Sequence, residues 1–98
     1  MSPYQEHQSR HRRITILKVL SESQEYRCGD ALLWDLVATY VPSTRDQIRS
    51  DLAWLAENGL VSLRVISTAT IATMTERGGD IAAGRSTDPG VARPSPRG

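Results

Sequence analysis

Arg45 and Arg49 stand near the start of the stretch "STRDQIRSDLAWLAENGLV" (residues 43–61). A spacing of four puts both guanidiniums on adjoining turns of a helix. Each is planar and always charged, suited to bidentate contact with phosphate, guanine or carboxylate. A helix N-terminus adds free N–H groups and partial positive charge, which also draw phosphate. The same residues equally fit a solvated helix face, with Arg45, Asp46, Arg49 and Asp51 in surface ion pairs worth roughly 0–1 kcal/mol. Asp46 would repel phosphate or accept a hydrogen bond from cytosine N4. Asp51 lies nearer the apolar positions, where a carboxylate can hold an arginine in place.

A second basic cluster, "RHRR" with Lys18, contains Arg10, Arg12 and Arg13. It suits phosphate flanks, an acidic partner, or the solvated face of a first helix. His7 and His11 have the i, i+4 spacing of a metal pair, but no third ligand is placed to complete a site, so no metal is expected. Cys28 follows Arg27 and reads as an ordinary loop cysteine or a mildly activated thiol. No Ser-His-Asp or Cys-His pattern and no phosphate-cradling glycine loop is present, so neither an enzyme nor a cofactor is expected.

With 98 residues the chain fits one small domain, and net charge of +1 means that any attraction to nucleic acid must come from local clustering. One cysteine excludes a disulfide framework and makes a reducing cytoplasm the default compartment. No apolar run is long enough to span a membrane, and no signal peptide is expected.

Helical spacing of Ile14, Leu17 and Leu20, widened by Ile16 and Val19, predicts a first helix beginning after Pro3. "DALLWDLVATYV" is a second, with Asp30 as cap and Leu33, Leu36, Val37 and Tyr40 as its apolar stripe; Pro42 ends it. The opening stretch is the third, capped by Ser43 with Asp46 or Thr44 with Gln47. It carries an Ile48–Leu52–Leu55 stripe and a stop at Asn58–Gly59. Trp54 lies a quarter-turn off that stripe and is expected against the wing or another subunit. "LVSLRVI" alternates as a strand, "STA" turns, and "TIATM" returns. "TERGGDIAAG" is a short last helix capped by Thr75 and weakened by its glycines. Residues 1–84 form the domain on this reading, and residues 85–98, rich in Pro and Arg, an extended tail. The fold class is α+β, mostly helical: three helices, a β-hairpin wing and a short C-terminal helix, the winged helix-turn-helix plan.

"LAWLAENGLV" and "MTERG" resemble the end of a recognition helix running into the wing, and the step from the wing to a last helix, in ArsR-like and MarR-like winged-helix regulators. "RRITILKVL", "TRDQIRSDLAWLAENGLV", "TERGGDIAAG" and "PGVARPSP" together are similar to small proteins of Mu-like transposable bacteriophages, a group identified as ArsR-like. The resemblance implies a winged helix and a phage origin but no activity of itself; the fold analogy and the arginines of the third helix make double-stranded DNA an expected partner. Carried onto this chain, the resemblance places readers at Thr44, Arg45, Gln47, Arg49 and Ser50 and a wing contact at Arg64; the basic run adds, on its own residues, flanking phosphate contacts from Arg10, Arg12 and Arg13. Only Arg64 is basic in the wing, and the paired cysteines of metal-sensing relatives are absent.

Two functions are therefore expected. One is a phage-encoded DNA-binding regulator or accessory factor of DNA transactions in the bacterial cytoplasm. The other is a winged-helix module that binds a host or phage protein. A homodimer joined at Tyr4, Ile81 and Ala82 is expected in addition. The tail is either a frayed terminus or an arm whose Arg93 and Arg97 lie in a minor groove or a protein groove.

Overall fold

A computed structural model describes residues 2–94. Helix α1 spans Pro3–Glu22 and opens on a capping box in which Ser2 and Gln5 exchange side-chain-to-backbone hydrogen bonds. A 3₁₀ turn over Gln24–Tyr26 leads to strand β1, Arg27–Gly29, then helix α2, Asp30–Tyr40, and helix α3, Arg45–Glu57. Strands β2, Val61–Ile66, and β3, Ala69–Met74, form a hairpin, and helix α4 covers Glu76–Ala82. The sheet is antiparallel in the order β1-β3-β2. The fold is α+β, mostly helical, with the winged-helix arrangement. Among the described residues no helix is long and apolar enough to cross a membrane.

The core follows the apolar spacing. Ile14, Ile16, Leu17 and Leu20 of α1 meet Leu33 and Val37 of α2, Ile48, Leu52 and Leu55 of α3, and Ala72 of β3. Gly59, at φ 73°, takes the left-handed conformation that ends α3. The α4 start then closes over this turn: Thr75 Oγ1 donates to the Gly59 carbonyl at 2.7 Å and accepts from Gly78 N–H at 3.1 Å. A Cβ on Gly78 would collide with the Leu60 carbonyl oxygen. That glycine is a packing requirement, not a weakness of the helix.

Several expectations need correction. Gly29 is the N-cap of α2, and Asp30 is its first residue. Leu36 and Tyr40 are exposed, because only Leu33 and Val37 of their stripe face the core. Cys28 is buried in a strand, not a loop. That strand carries no sequence period of its own; it pairs with β3, register Cys28↔Ala72. Ile81 and Ala82 are buried, so two of the three expected dimer positions are already used internally. In the wing, Val61 is buried, but Leu63 and Val65 become progressively more exposed towards the tip.

The largest correction concerns the "RHRR" run and residues 85–94. Asp51 is 3% exposed. Its Oδ2 accepts from Arg12 Nη1 at 2.8 Å, and its Oδ1 from Arg13 Nε at 3.0 Å. Arg12 Nε continues to Ser43 Oγ at 2.8 Å, tying the turn between α2 and α3. The Arg13 guanidinium lies 4.0 Å from the Trp54 ring centre and donates to the Gly90 carbonyl at 2.9 Å. Chain 85–94 is therefore not an unattached arm. Asp88 caps a turn by accepting from Gly90 N–H at 2.8 Å, Val91 is buried, and Ala92 N–H donates to the Arg10 carbonyl at 3.1 Å. Trp54 packs beneath Gly90, where a Cβ would strike the indole; its neighbour is this strap, not the wing. Arg97 lies outside the described residues.

Three outcomes follow for stability in urea or heat. Asp51→Ala leaves Arg12 buried without its carboxylate and is expected to cost about 3–5 kcal/mol, as broken buried pairs do; a loss under about 0.5 kcal/mol would mean that the cluster is solvated. Gly78→Ala, which gains about 1 kcal/mol in an open helix, should here destabilise. Deleting residues 85–98 removes buried Val91 and should lower the melting temperature by several degrees, since about 1 kcal/mol shifts a domain of this size by about 4–8 °C. An unchanged melting temperature would detach the strap from the fold.

Candidate nucleic-acid interface

Local sequence positions the N-terminus of α3. Thr44 Oγ1 accepts from Gln47 N–H at 3.1 Å, and Gln47 Oε1 accepts from Thr44 N–H at 2.9 Å. Of the two expected caps, the Thr44–Gln47 one forms. Both side chains are exposed but already engaged. The turn before them is held by the Trp34 indole, which donates to the Ser43 carbonyl at 2.8 Å. Arg45 is exposed, with its guanidinium carbon 5.8 Å from the Trp34 ring centre. Arg49 and Ser50 are exposed as well. Ser50 and Gln47 border a shallow polar cleft shared with Gln5, Gln8 and Ser9 of α1.

The wing is fastened to this helix by Asp30. Its carboxylate is buried: Oδ1 accepts from Ala31 N–H at 3.0 Å and, at 3.4 Å, from Thr70 N–H on β3. Oδ2 lies 4.0 Å from Arg49 Nε, whose side chain remains 59% exposed. One carboxylate thus sets Arg49 beside Thr70, which pairs with Val65 near the tip of the wing. Sequence reasoning missed this role because an Asp at a helix start reads first as a cap.

Arg64 is exposed and has no acid within ion-pair distance among the described residues. It shares the outer face of the sheet with Arg27, through the registers Gly29↔Ile71↔Arg64 and Arg27↔Thr73↔Ser62. These residues line a shallow depression there. Arg27 was hidden in a connection without period. It pairs with Glu25 at 2.6 Å, and with both side chains more than half exposed the pair is largely screened by water. The wing tip is apolar: Val65 is 71% and Ile66 54% exposed.

Other expected contacts do not join this face. Arg12 and Arg13 are committed to Asp51, which makes them structural. Arg10 is half-buried beside the strap, and its Nε is buried without an acceptor among the described residues. His7 and His11 meet edge-on, ring centres 4.7 Å apart, and no three potential ligands converge among the described residues. Burial pushes the Cys28 thiol above its ordinary value, the opposite of an activated nucleophile.

With Asp51 turned inward, Asp46 is the one fully outward acid of the α3 N-terminal turns, against Arg45 and Arg49. This geometry offers paired guanidiniums at a helix N-terminus beside a wing carrying a third.

No family model matches the chain. It is similar to a protein of Escherichia phage Mu named "Uncharacterized protein gp26", with 36% identity over 87 residues that span 88% of this chain and 90% of that protein. Identity at that level over nearly both full lengths places this chain in the family of that Mu phage protein.

Proposed function

We propose that this is a phage-encoded winged-helix DNA-binding protein, acting in the host cytoplasm as a transcriptional regulator or an accessory factor in DNA transactions. The observation that carries the reading is the Asp30 bridge. It lies 4.0 Å from Arg49 Nε and accepts from Thr70 N–H near the tip of the hairpin, so one carboxylate sets the exposed Arg49 of α3 beside the outer half of the wing. A helix of this width fits the major groove of B-DNA, where Arg45 and Arg49 reach guanine edges or phosphate. Arg64 on the adjoining strand suits a phosphate contact. With few cations on this face, affinity rests on a small number of contacts, and the salt slope, which scales with the number of phosphates neutralised, is shallow.

A second reading, a module that binds a host or phage protein without DNA, is favoured by the exposed Val65 and Ile66 of the wing tip. Apolar side chains there gain nothing from phosphate.

Gel-shift titration on phage genomic fragments across a salt series separates the two. Arg45→Ala and Arg49→Ala should each weaken binding by about 1–3 kcal/mol and relax sequence preference if they read bases. Arg64→Ala should weaken all sequences evenly and lower the salt slope by about one. Unchanged affinity in the Arg45→Ala/Arg49→Ala double variant would remove α3 from the interface, and absence of any shift at low salt would leave the protein-binding reading.

A further inference from the structure

Helix α2 exposes a stripe that none of the described residues covers. Leu32 is 56%, Leu36 39% and Tyr40 74% exposed, and their i, i+4, i+8 spacing puts them along one side of the helix. The other exposed positions of α2 are Ala31, Asp35 and Thr39, so one charge stands among six residues. At the Tyr40 end the stripe runs into a cleft of about 510 Å³ with an apolar floor of Ile14, Val19 and Pro94, edged by His11, Lys18, Glu22 and Arg93. Contiguous apolar surface of this kind marks an interaction site.

We propose that the stripe is the contact surface for a second copy of this chain, joined antiparallel α2 to α2 about a two-fold axis at Leu36. The sequence of the stripe is what makes it self-complementary. Leu36 is its midpoint, and a two-fold there lays Leu32 of one copy over Tyr40 of the other, twice. An isologous contact requires such symmetry about its centre. The six exposed positions and the rim of the cleft offer on the order of 500 Å² per copy, a total near the ~1,000 Å² at which specific interfaces begin and short of the ~1,600 Å² typical of stable ones. The dimer is therefore weak and concentration-dependent. The expected Tyr4–Ile81–Ala82 interface is replaced, since two of those residues are inside the core.

The surface is independent of the DNA reading and compatible with it. Leu36 stands about 200° around α2 from Trp34, at ~100° per residue. Trp34 is the side chain beside Arg45, and it shares a small depression with Arg45 and Arg49. Pairing on the stripe leaves that side of α2 open.

Sedimentation equilibrium on the full chain from about 10 to 500 µM tests the proposal, a range chosen for an interface at the low end of the specific class. The weight-average mass of the unaltered chain should rise from 10.8 kDa towards twice that value. Leu36→Asp should remain at the monomer mass throughout, with a cooperative melting transition that shows it folded, since the position is already 39% exposed. Leu36→Cys should give a disulfide-linked dimer on mild oxidation, since a residue on the axis meets its own copy, and Cys28 is too buried to compete. A constant monomer mass for the unaltered chain overturns the proposal and leaves the stripe to a different protein. Undiminished association of a folded Leu36→Asp variant overturns it also, by placing the contact elsewhere.

Discussion

Everything in this small domain hangs on one buried carboxylate meeting two guanidiniums. Asp51 sits at the inner edge of α3, and Arg12 and Arg13 are consecutive on α1, so they leave that helix about 100° apart. Both reach the same carboxylate because α3 passes between their directions, which fixes the register of the two helices. Neither arginine stops there. Arg12 passes the constraint to the α2–α3 turn through Ser43, and Arg13 passes it to the strap through Trp54 and the Gly90 carbonyl. One anion facing two cations is not neutral. The excess positive charge is met by the π face of Trp54, the Gly90 carbonyl and the Ser43 hydroxyl. Such a cluster contributes more to selecting one packing than to net stability, since desolvation offsets much of the attraction. Any slip of α1 along α3 would leave a buried charge without a partner.

Asp30 does on the opposite flank what Asp51 does on the inner one. Asp51 binds α3 to the helices beneath it, and Asp30 links α3 to the wing. Both acids lie close to arginines in the sequence or the fold, and both are taken out of the solvent-facing charge balance by burial. Burial takes two charges of each sign out of the count of twelve basic against eleven acidic residues, so the overall balance stays near neutral and only the local distribution changes. Arg12, Arg13, Asp30 and Asp51 face inward, and the polarity of the α3 N-terminal turns depends on Arg45, Arg49 and Asp46.

Features made by neighbours in sequence were legible before the structure. The Ile48–Leu52–Leu55 stripe, the Thr44–Gln47 box, the Asn58–Gly59 stop and the Thr75 cap all depend on residues within one or two turns. Features made by distant partners were not. Strand β1 is three residues long, too short for any period, and exists because β3 offers hydrogen bonds to it. Arg12 and Arg13 read as a solvated or phosphate-binding run because nothing near them in sequence announces Asp51, 39 and 38 positions away. Asp51 itself was half legible: its place beside the apolar stripe suggested an arginine partner, though not which one. The strap had a signal that its prolines and arginines obscured. Asp88-Pro89-Gly90 is turn chemistry, and a turn followed by an apolar Val91 is the pattern of a chain coming back to a core rather than leaving it.

The strap also explains why a domain of this size needs Trp54 where it is. A helix of thirteen residues with a 3.6-residue turn cannot cover its own flank, and α3 has α1 on one side only. Trp54, off the main stripe, extends the apolar surface sideways. Gly90 lets backbone lie directly on the indole, and the Arg13 guanidinium lies over the ring, 4.0 Å from its centre. The core thereby gains Val91 without adding another helix. The same economy leaves α2 with a side that no described segment covers, because residues 85–94 run along α3 and α1. The uncovered Leu32–Leu36–Tyr40 stripe is a consequence of where the chain runs. Its apolar character contrasts with the polar outward face of α3, and the two surfaces lie on different sides of α2, so one short helical core presents two exposed surfaces of opposite chemistry.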